Sequence, residues 1–125
     1  MRRYIIHFWR SKNHAWRGVQ YTFRHEPNFR VQVYIAVCVC IGAGLLQVRT
    51  LEFIILILLI LAVLVLELFN TAIEALSDVV KPRLHEQVGL VKDIAAGMVL
   101  IASLAAIVIG VTIFYPYLLE FFNKI

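Results

Sequence analysis

Residues Phe53 to Asp78 read FIILILLILAVLVLELFNTAIEALSD. The first fourteen, Phe53 to Leu66, are all apolar; the remainder brings in Glu67, Asn70, Glu74 and Asp78. A helix rising 1.5 Å per residue needs ~20 mostly apolar residues to cross a hydrocarbon core of ~30 Å. The stretch therefore predicts a membrane-crossing helix that gains acidic groups as it leaves the lipid. Such groups either anchor the helix end or carry out chemistry.

Two more blocks of the same kind flank it. Val31 to Val48 is an 18-residue run without a charge, edged by Gln32 and Gln47. Ile94 to Leu119 is 26 uncharged residues, broken only by Ser103, Thr112, a few small residues and Pro116. The 125 residues are 62% hydrophobic, with a mean hydropathy of +0.84, where soluble domains are about half apolar. The expectation is an all-α integral membrane protein, one domain over 1–125, with spans at about 29–48, 51–80 and 92–119. The first 30 residues lack the apolar core and cleavage site of a secretory signal. Cys38 and Cys40, two apart, face different ways on a helix, so they form neither a metal pair nor a redox CxxC; both read as small lipid- or helix-facing residues.

Charge fixes an orientation. Residues 1–30 hold seven Lys/Arg and a single acid, Glu26, and the second connection holds Lys81, Arg83 and Lys92. The first connection has only Arg49. Positive-inside bias places the N-terminus and second connection in the cytoplasm, and the C-terminus outside. The net charge of +4 suits anionic lipid, and no nucleic-acid-binding motif is present. Entering from outside near Leu51, the second helix carries Glu67 ~24 Å along its axis and Glu74 ~10 Å further. Glu67, Asn70, Thr71, Glu74 and Asp78 share one helical stripe. Glu26, before the first span, and Lys92-Asp93, before the third, come to the same inner layer. For Asp78, Glu86 and Asp93 a solvated cap is explanation enough. Glu67 is different, because ionisable groups at that depth are costly and usually functional.

The N-terminal segment, about 4–25, predicts an amphipathic surface helix. Arg3, His7, Arg10, His14, Arg17, Tyr21 and Arg24 form a basic and polar stripe beside an apolar one of Ile5, Phe8, Trp9, Trp16, Val19 and Phe23. Such a helix lies in the inner interface, as an anchor or as a source of phosphate-binding cations. Pro27 suits the first turn of the next helix. Gly42-Ala43-Gly44 reads as helix-packing material, and Ala102, Ala106 and Gly110 as a close helix contact.

No Walker loop, Gly-rich kinase loop, HExxH, nucleophile elbow or zinc spacing is present. What remains is carboxylates with Lys and Arg at the membrane surface. Phosphoryl transfer can run on these: oxygen ligands for Mg²⁺, cations for phosphate and a base for the attacking hydroxyl. A proton-coupled transporter could use Glu67 as its carrier, and a structural subunit would need none of these groups.

The motif Glu67-x-x-Asn70-Thr71-Ala72-Ile73-Glu74, with Asp78, His85 and Lys92-Asp93, closely resembles the small prokaryotic diacylglycerol kinase/undecaprenol kinase family. Trp16-Arg17-Gly18 and His25-Glu26-Pro27-Asn28-Phe29-Arg30 are similar to the same family. The likeness runs from about Ser11 to Gly110, and the tail beyond matches poorly. It implies a homotrimeric helical bundle of three-span subunits with shared active sites, in the bacterial cytoplasmic (inner) membrane. It implies transfer of the ATP γ-phosphate to a membrane lipid alcohol. By matching positions, Glu67 resembles the catalytic base, Asn70 a supporting residue, and Glu26 and Glu74 the Mg²⁺ ligands that bridge to ATP. His14, Arg83, Leu84, His85, Lys92 and Asp93 fall where the family contacts nucleotide, although His14 stands where the family can have Tyr. Glu67 and Arg30 fall on the lipid-substrate side. His7 stands where some relatives carry Arg, and no substrate role is carried over to it. The His25–Arg30 stretch and the Thr-Ala-Ile-Glu form look more like the undecaprenol branch than the diacylglycerol branch.

Overall fold

A computed structural model describes the backbone of residues 2–80 and 85–123, with side chains at 12–79 and 86–123. Four helices follow one another: α1 (Arg2–His25), α2 (Pro27–Leu45), α3 (Thr50–Val80) and α4 (His85–Asn123). The protein is all-α, an amphipathic surface helix followed by three helices long and apolar enough to cross a membrane. α3 packs against each of the other three.

Proline sets the first break. A residue preceding Pro is disfavoured in the helical region, and Glu26 is accordingly extended (φ −100°, ψ 109°), with Pro27 in the first turn of α2. α1 closes through the Glu26 N–H donated to the Thr22 carbonyl, 2.8 Å. Glu26 is thus the N-cap of α2, yet its carboxylate makes no capping bond and remains available at the corner.

The turn between α2 and α3 is self-contained. Val48 N–H bonds the Ala43 carbonyl (3.2 Å) and Gln47 N–H the Gly44 carbonyl (3.3 Å), the paired bonds of a Schellman motif. Its left-handed position is occupied by Gln47, φ 50°. Glu52 then reaches back to accept the Arg49 N–H at 3.1 Å. Tyr117 of α4 joins the same group, accepting from Arg49 N–H at 3.2 Å and donating its hydroxyl to Glu52. This clamp ties the far end of α4 to the α2–α3 turn.

The interior is unlike that of a soluble bundle. Among the described residues the buried apolar side chains are Phe29, Ala43, Leu56 and Ala95, matched by the polar Thr22, Glu67, Thr71 and Ser77. In each spanning helix less than a fifth of the most apolar window is covered by the rest of the chain. Lipid tails are as apolar as leucine, so membrane helices turn small and polar residues toward one another instead. Gly42 and Ala43 fit that rule: Ala43 is 2% exposed, and a Cβ on Gly42 would sit 3.9 Å from Phe114. At the Gly110 end of the Ala102–Gly110 stripe the described residues leave an open space. A Cβ added at Gly110 would meet nothing within 4 Å, and Ala106 and Gly110 line a cleft. Small residues here leave space instead of closing it.

α4 begins at His85, well before its uncharged run starts at Ile94. Hydropathy marks only the part of a helix that faces lipid, whereas backbone hydrogen bonding continues past it. The helix also runs through Pro116.

A left-handed conformation costs a residue with a Cβ roughly 1–2 kcal/mol. Gln47→Gly is therefore expected to stabilise the fold by roughly 0.5–1 kcal/mol, seen as a higher melting temperature in detergent micelles.

Candidate functional site

Glu67 is the centre. On α3 it is 3% exposed, and its Oε2 accepts a hydrogen bond from Nε2 of Gln32 on α2, 3.0 Å away. One turn on, Thr71 donates its hydroxyl to the Glu67 carbonyl at 3.0 Å, which hides a polar side chain against its own helix. Asn70, on the same face, is half-buried. Its Oδ1 and the Oε1 of Gln32 are the two buried side-chain polar atoms without a partner among the described residues.

The Gln32–Glu67 bond fixes the register of α2 against α3. The helices run antiparallel, so Glu26, six residues before Gln32, falls level with about Ile73–Glu74, six to seven beyond Glu67. Glu26 and Glu74 are both half-buried. α4 reaches the same end: Nζ of Lys92 lies 3.9 Å from Oδ1 of Asp78. Asp93 is exposed beside it, Arg30 is half-buried on α2 and His14 is exposed on α1. At the corner between α1 and α2, the His25 ring stacks on Tyr21, centroids 4.2 Å apart. Arg83 and Leu84 lie outside the described residues, as does the side chain of His85, which opens α4.

No group of three or more His, Cys, Asp or Glu side chains capable of holding a metal occurs among the described residues. Two carboxylates from separate elements are nonetheless a fitting donor set for Mg²⁺. That ion takes hard oxygen ligands and commonly uses one or two carboxylates, with phosphates and water completing the octahedron. The uncapped carboxylate of Glu26 and that of Glu74, at about the same level on α3, are of the type that suits this division.

On the other side of Gln32 opens a cleft of about 530 Å³ between α2, α3 and α4. Ala36, Val63, Ala106, Gly110 and Phe114 contribute to its walls, which are almost entirely apolar, and Gln32 and Ser103 are among its few polar groups. Gln32 thus stands between a greasy space and a buried carboxylate. Sequence reasoning passed it over as the edge of a span. The signal it missed was an amide inside an otherwise apolar run, since polar groups in spanning segments usually face a partner.

The family profile of prokaryotic diacylglycerol kinase matches residues 13–114. The chain belongs to the prokaryotic diacylglycerol kinase family. These are lipid kinases, phosphotransferases with an alcohol acceptor. A diacylglycerol kinase of Synechocystis sp. is 39% identical over 111 residues, 88% of this chain and 63% of that protein. The chain thus spans under two thirds of that relative's length. An undecaprenol kinase of Bacillus subtilis is 37% identical over 117 residues, covering 94% of this chain and 95% of its own. A diacylglycerol kinase of Escherichia coli is 28% identical over 99 residues, 79% of this chain and 81% of the relative.

A buried oxygen without a partner costs about 1–3 kcal/mol. Asn70→Leu, of similar size, is expected to leave the melting temperature unchanged or to raise it. A loss of more than ~1 kcal/mol would mean that Oδ1 has a structural partner.

Proposed function

We propose that this protein is an ATP- and Mg²⁺-dependent lipid kinase that transfers the γ-phosphoryl group to the hydroxyl of a membrane lipid alcohol, with undecaprenol the favoured acceptor. The observation that carries the reading is Glu67, a carboxylate 3% exposed and hydrogen-bonded to Gln32, which lines an apolar cleft, toward the end of the bundle bearing Glu26, Glu74 and Lys92. A lipid alcohol can lie along the cleft with its hydroxyl at Glu67, while a nucleotide approaches from water.

Glu67 takes the proton as the alcohol oxygen attacks the γ-phosphorus, and the bond from that phosphorus to the bridging oxygen of ADP breaks. General-base help of this kind is worth ~10²–10⁴-fold. Glu26 and Glu74 would hold Mg²⁺, which when bound offsets the charge on the phosphates. Lys92 adds a cation, and Asn70 supports the base. His14, Arg83, Leu84, His85 and Asp93 contact the nucleotide, and Arg30 lies on the lipid side. Catalysis then rests on positioning and electrostatics, which is what phosphoryl transfer chiefly requires.

Undecaprenol is favoured by the His25–Arg30 stretch, by the Thr71-Ala72-Ile73-Glu74 form, and by the near end-to-end likeness to the Bacillus subtilis undecaprenol kinase. Diacylglycerol is the second reading, favoured by the Synechocystis diacylglycerol kinase at 39% identity. The protein works as a homotrimer with shared sites in the bacterial inner membrane, N-terminus in the cytoplasm. The apolar surface left uncovered within one chain leaves room for that assembly, and the basic N-terminal segment supports the orientation.

Purified protein in mixed micelles with labelled ATP, Mg²⁺ and either lipid tests both readings. The expected product is labelled undecaprenyl phosphate in excess over phosphatidic acid. Glu67→Gln should abolish transfer while the protein stays folded. Glu26→Ala and Glu74→Ala should act through Mg–ATP binding, and an unchanged Mg²⁺ dependence in both would argue against the pairing. For orientation, Cys38 and Cys40 are replaced and single cysteines are placed at the exposed positions Thr50 and Asp78. An impermeant thiol reagent should label position 50 in intact cells and position 78 only after the inner membrane is opened.

A further inference from the structure

Gln32 has no role in the chemistry described so far, yet its placement is costly. It sits in an 18-residue run without a charge, lines an apolar cleft, and keeps a buried Oε1 without a partner among the described residues. A leucine there would satisfy both the lipid and the packing. What the amide provides is one specific contact: its Nε2 donates to Oε2 of Glu67 at 3.0 Å. Among the described residues this is the one hydrogen bond or ion pair made by the Glu67 carboxylate. A buried carboxylate normally has several donors or a cation beside it. Here a single neutral amide from another helix sets its orientation.

We propose that Gln32 is a positioning residue for Glu67: its amide N–H pins one carboxylate oxygen, leaving the other to take the proton from the lipid hydroxyl. The inference rests on the reading of Glu67 as the base. The amide suits the task for two reasons. It donates without adding a positive charge, so it orients the carboxylate without forming an ion pair that would blunt its basicity. It also comes from α2, the helix capped by Glu26, so the turn geometry that sets Glu26 also sets the angle of the base. Unpinned, the Glu67 side chain could rotate away from the attacking hydroxyl, and small misplacements of a reacting group can cost as much as ~10²-fold.

The test is steady-state kinetics of Gln32→Leu in mixed micelles, with undecaprenol and with diacylglycerol as acceptors. The expected result is a kcat lower by ~10- to 100-fold, with KM for Mg–ATP and lipid within about twofold and a melting temperature close to the parent's. Gln32→Met, which keeps the side-chain length, is read in the same way should Leu disturb assembly. A double-mutant cycle separates positioning from packing. In Glu67→Asp, whose shorter carboxylate withdraws from the amide, adding Gln32→Leu should cost less than about threefold. A kcat within twofold of the parent in both Gln32 variants, or losses that multiply fully in the cycle, would overturn the proposal. If Glu67→Gln is dead and Gln32→Leu is fully active, the base stands and its positioning by Gln32 does not. An active Glu67→Gln removes the base itself.

Discussion

The constraint on which the molecule depends is that lipid cannot solvate a carboxylate. α3 carries Glu67 beyond a run of apolar residues, and the helix must turn that face inward. It follows that, from Glu67 onward, the covered residues of α3 are polar (Glu67, Thr71, Ser77), with the apolar Leu56 buried nearer its start. Leu58, Leu61 and Val65 remain half or more exposed. A soluble bundle reverses this arrangement because water drives its apolar stripe inward. Here no such drive exists between helices, and close approach by Ala43 and Ala95 with polar pairing takes its place.

The two ends of the bundle meet that constraint differently. At the α2–α3 turn the backbone, Glu52 and Tyr117 are paired. The Schellman bonds close α2, and Glu52, Tyr117 and the Arg49 N–H satisfy one another. At the other end, the Glu26 carboxylate makes no capping bond, and the amides of Gln32 and Asn70 keep an oxygen without a partner among the described residues. One end is built to hold three helices together. The other holds groups in place without using up their capacity to bind.

Much of this was legible in the sequence because it rests on local rules. The apolar blocks gave the spans, Pro27 the break after α1, and the spacing of Glu67, Asn70, Thr71 and Glu74 a single face of α3. What escaped was relational. Nothing local to Gln32 says that it meets Glu67, thirty-five residues away, and an amide at the edge of an apolar run reads as a boundary. Tyr117 escaped for the same reason, since its partners Glu52 and Arg49 lie on the far side of two helices. The small residues Ala106 and Gly110 were ambiguous in a different way. Small side chains permit either close contact or an open space, and only the placement of α2 and α3 decides that they border a cleft. The start of α4 at His85 was hidden because hydropathy reports the lipid-facing length of a helix and not its hydrogen-bonded length.

The placement of the unsatisfied groups is itself informative. An unpaired buried oxygen weakens a fold by about 1–3 kcal/mol, a large share of a typical stability of ~5–15 kcal/mol. Were such groups packing accidents, they would be expected to scatter over the three spans. Both of those found among the described residues lie on amides flanking Glu67, one on α2 and one on α3. Among the described residues none of the unsatisfied buried side-chain atoms lies at the α2–α3 turn, so their cost falls around Glu67. On the proposed reading of Glu67 as the base, this chain needs no phosphate-binding loop: lipid supplies the dry surroundings, α3 the carboxylate, and Gln32 on α2 the hydrogen bond that would hold it.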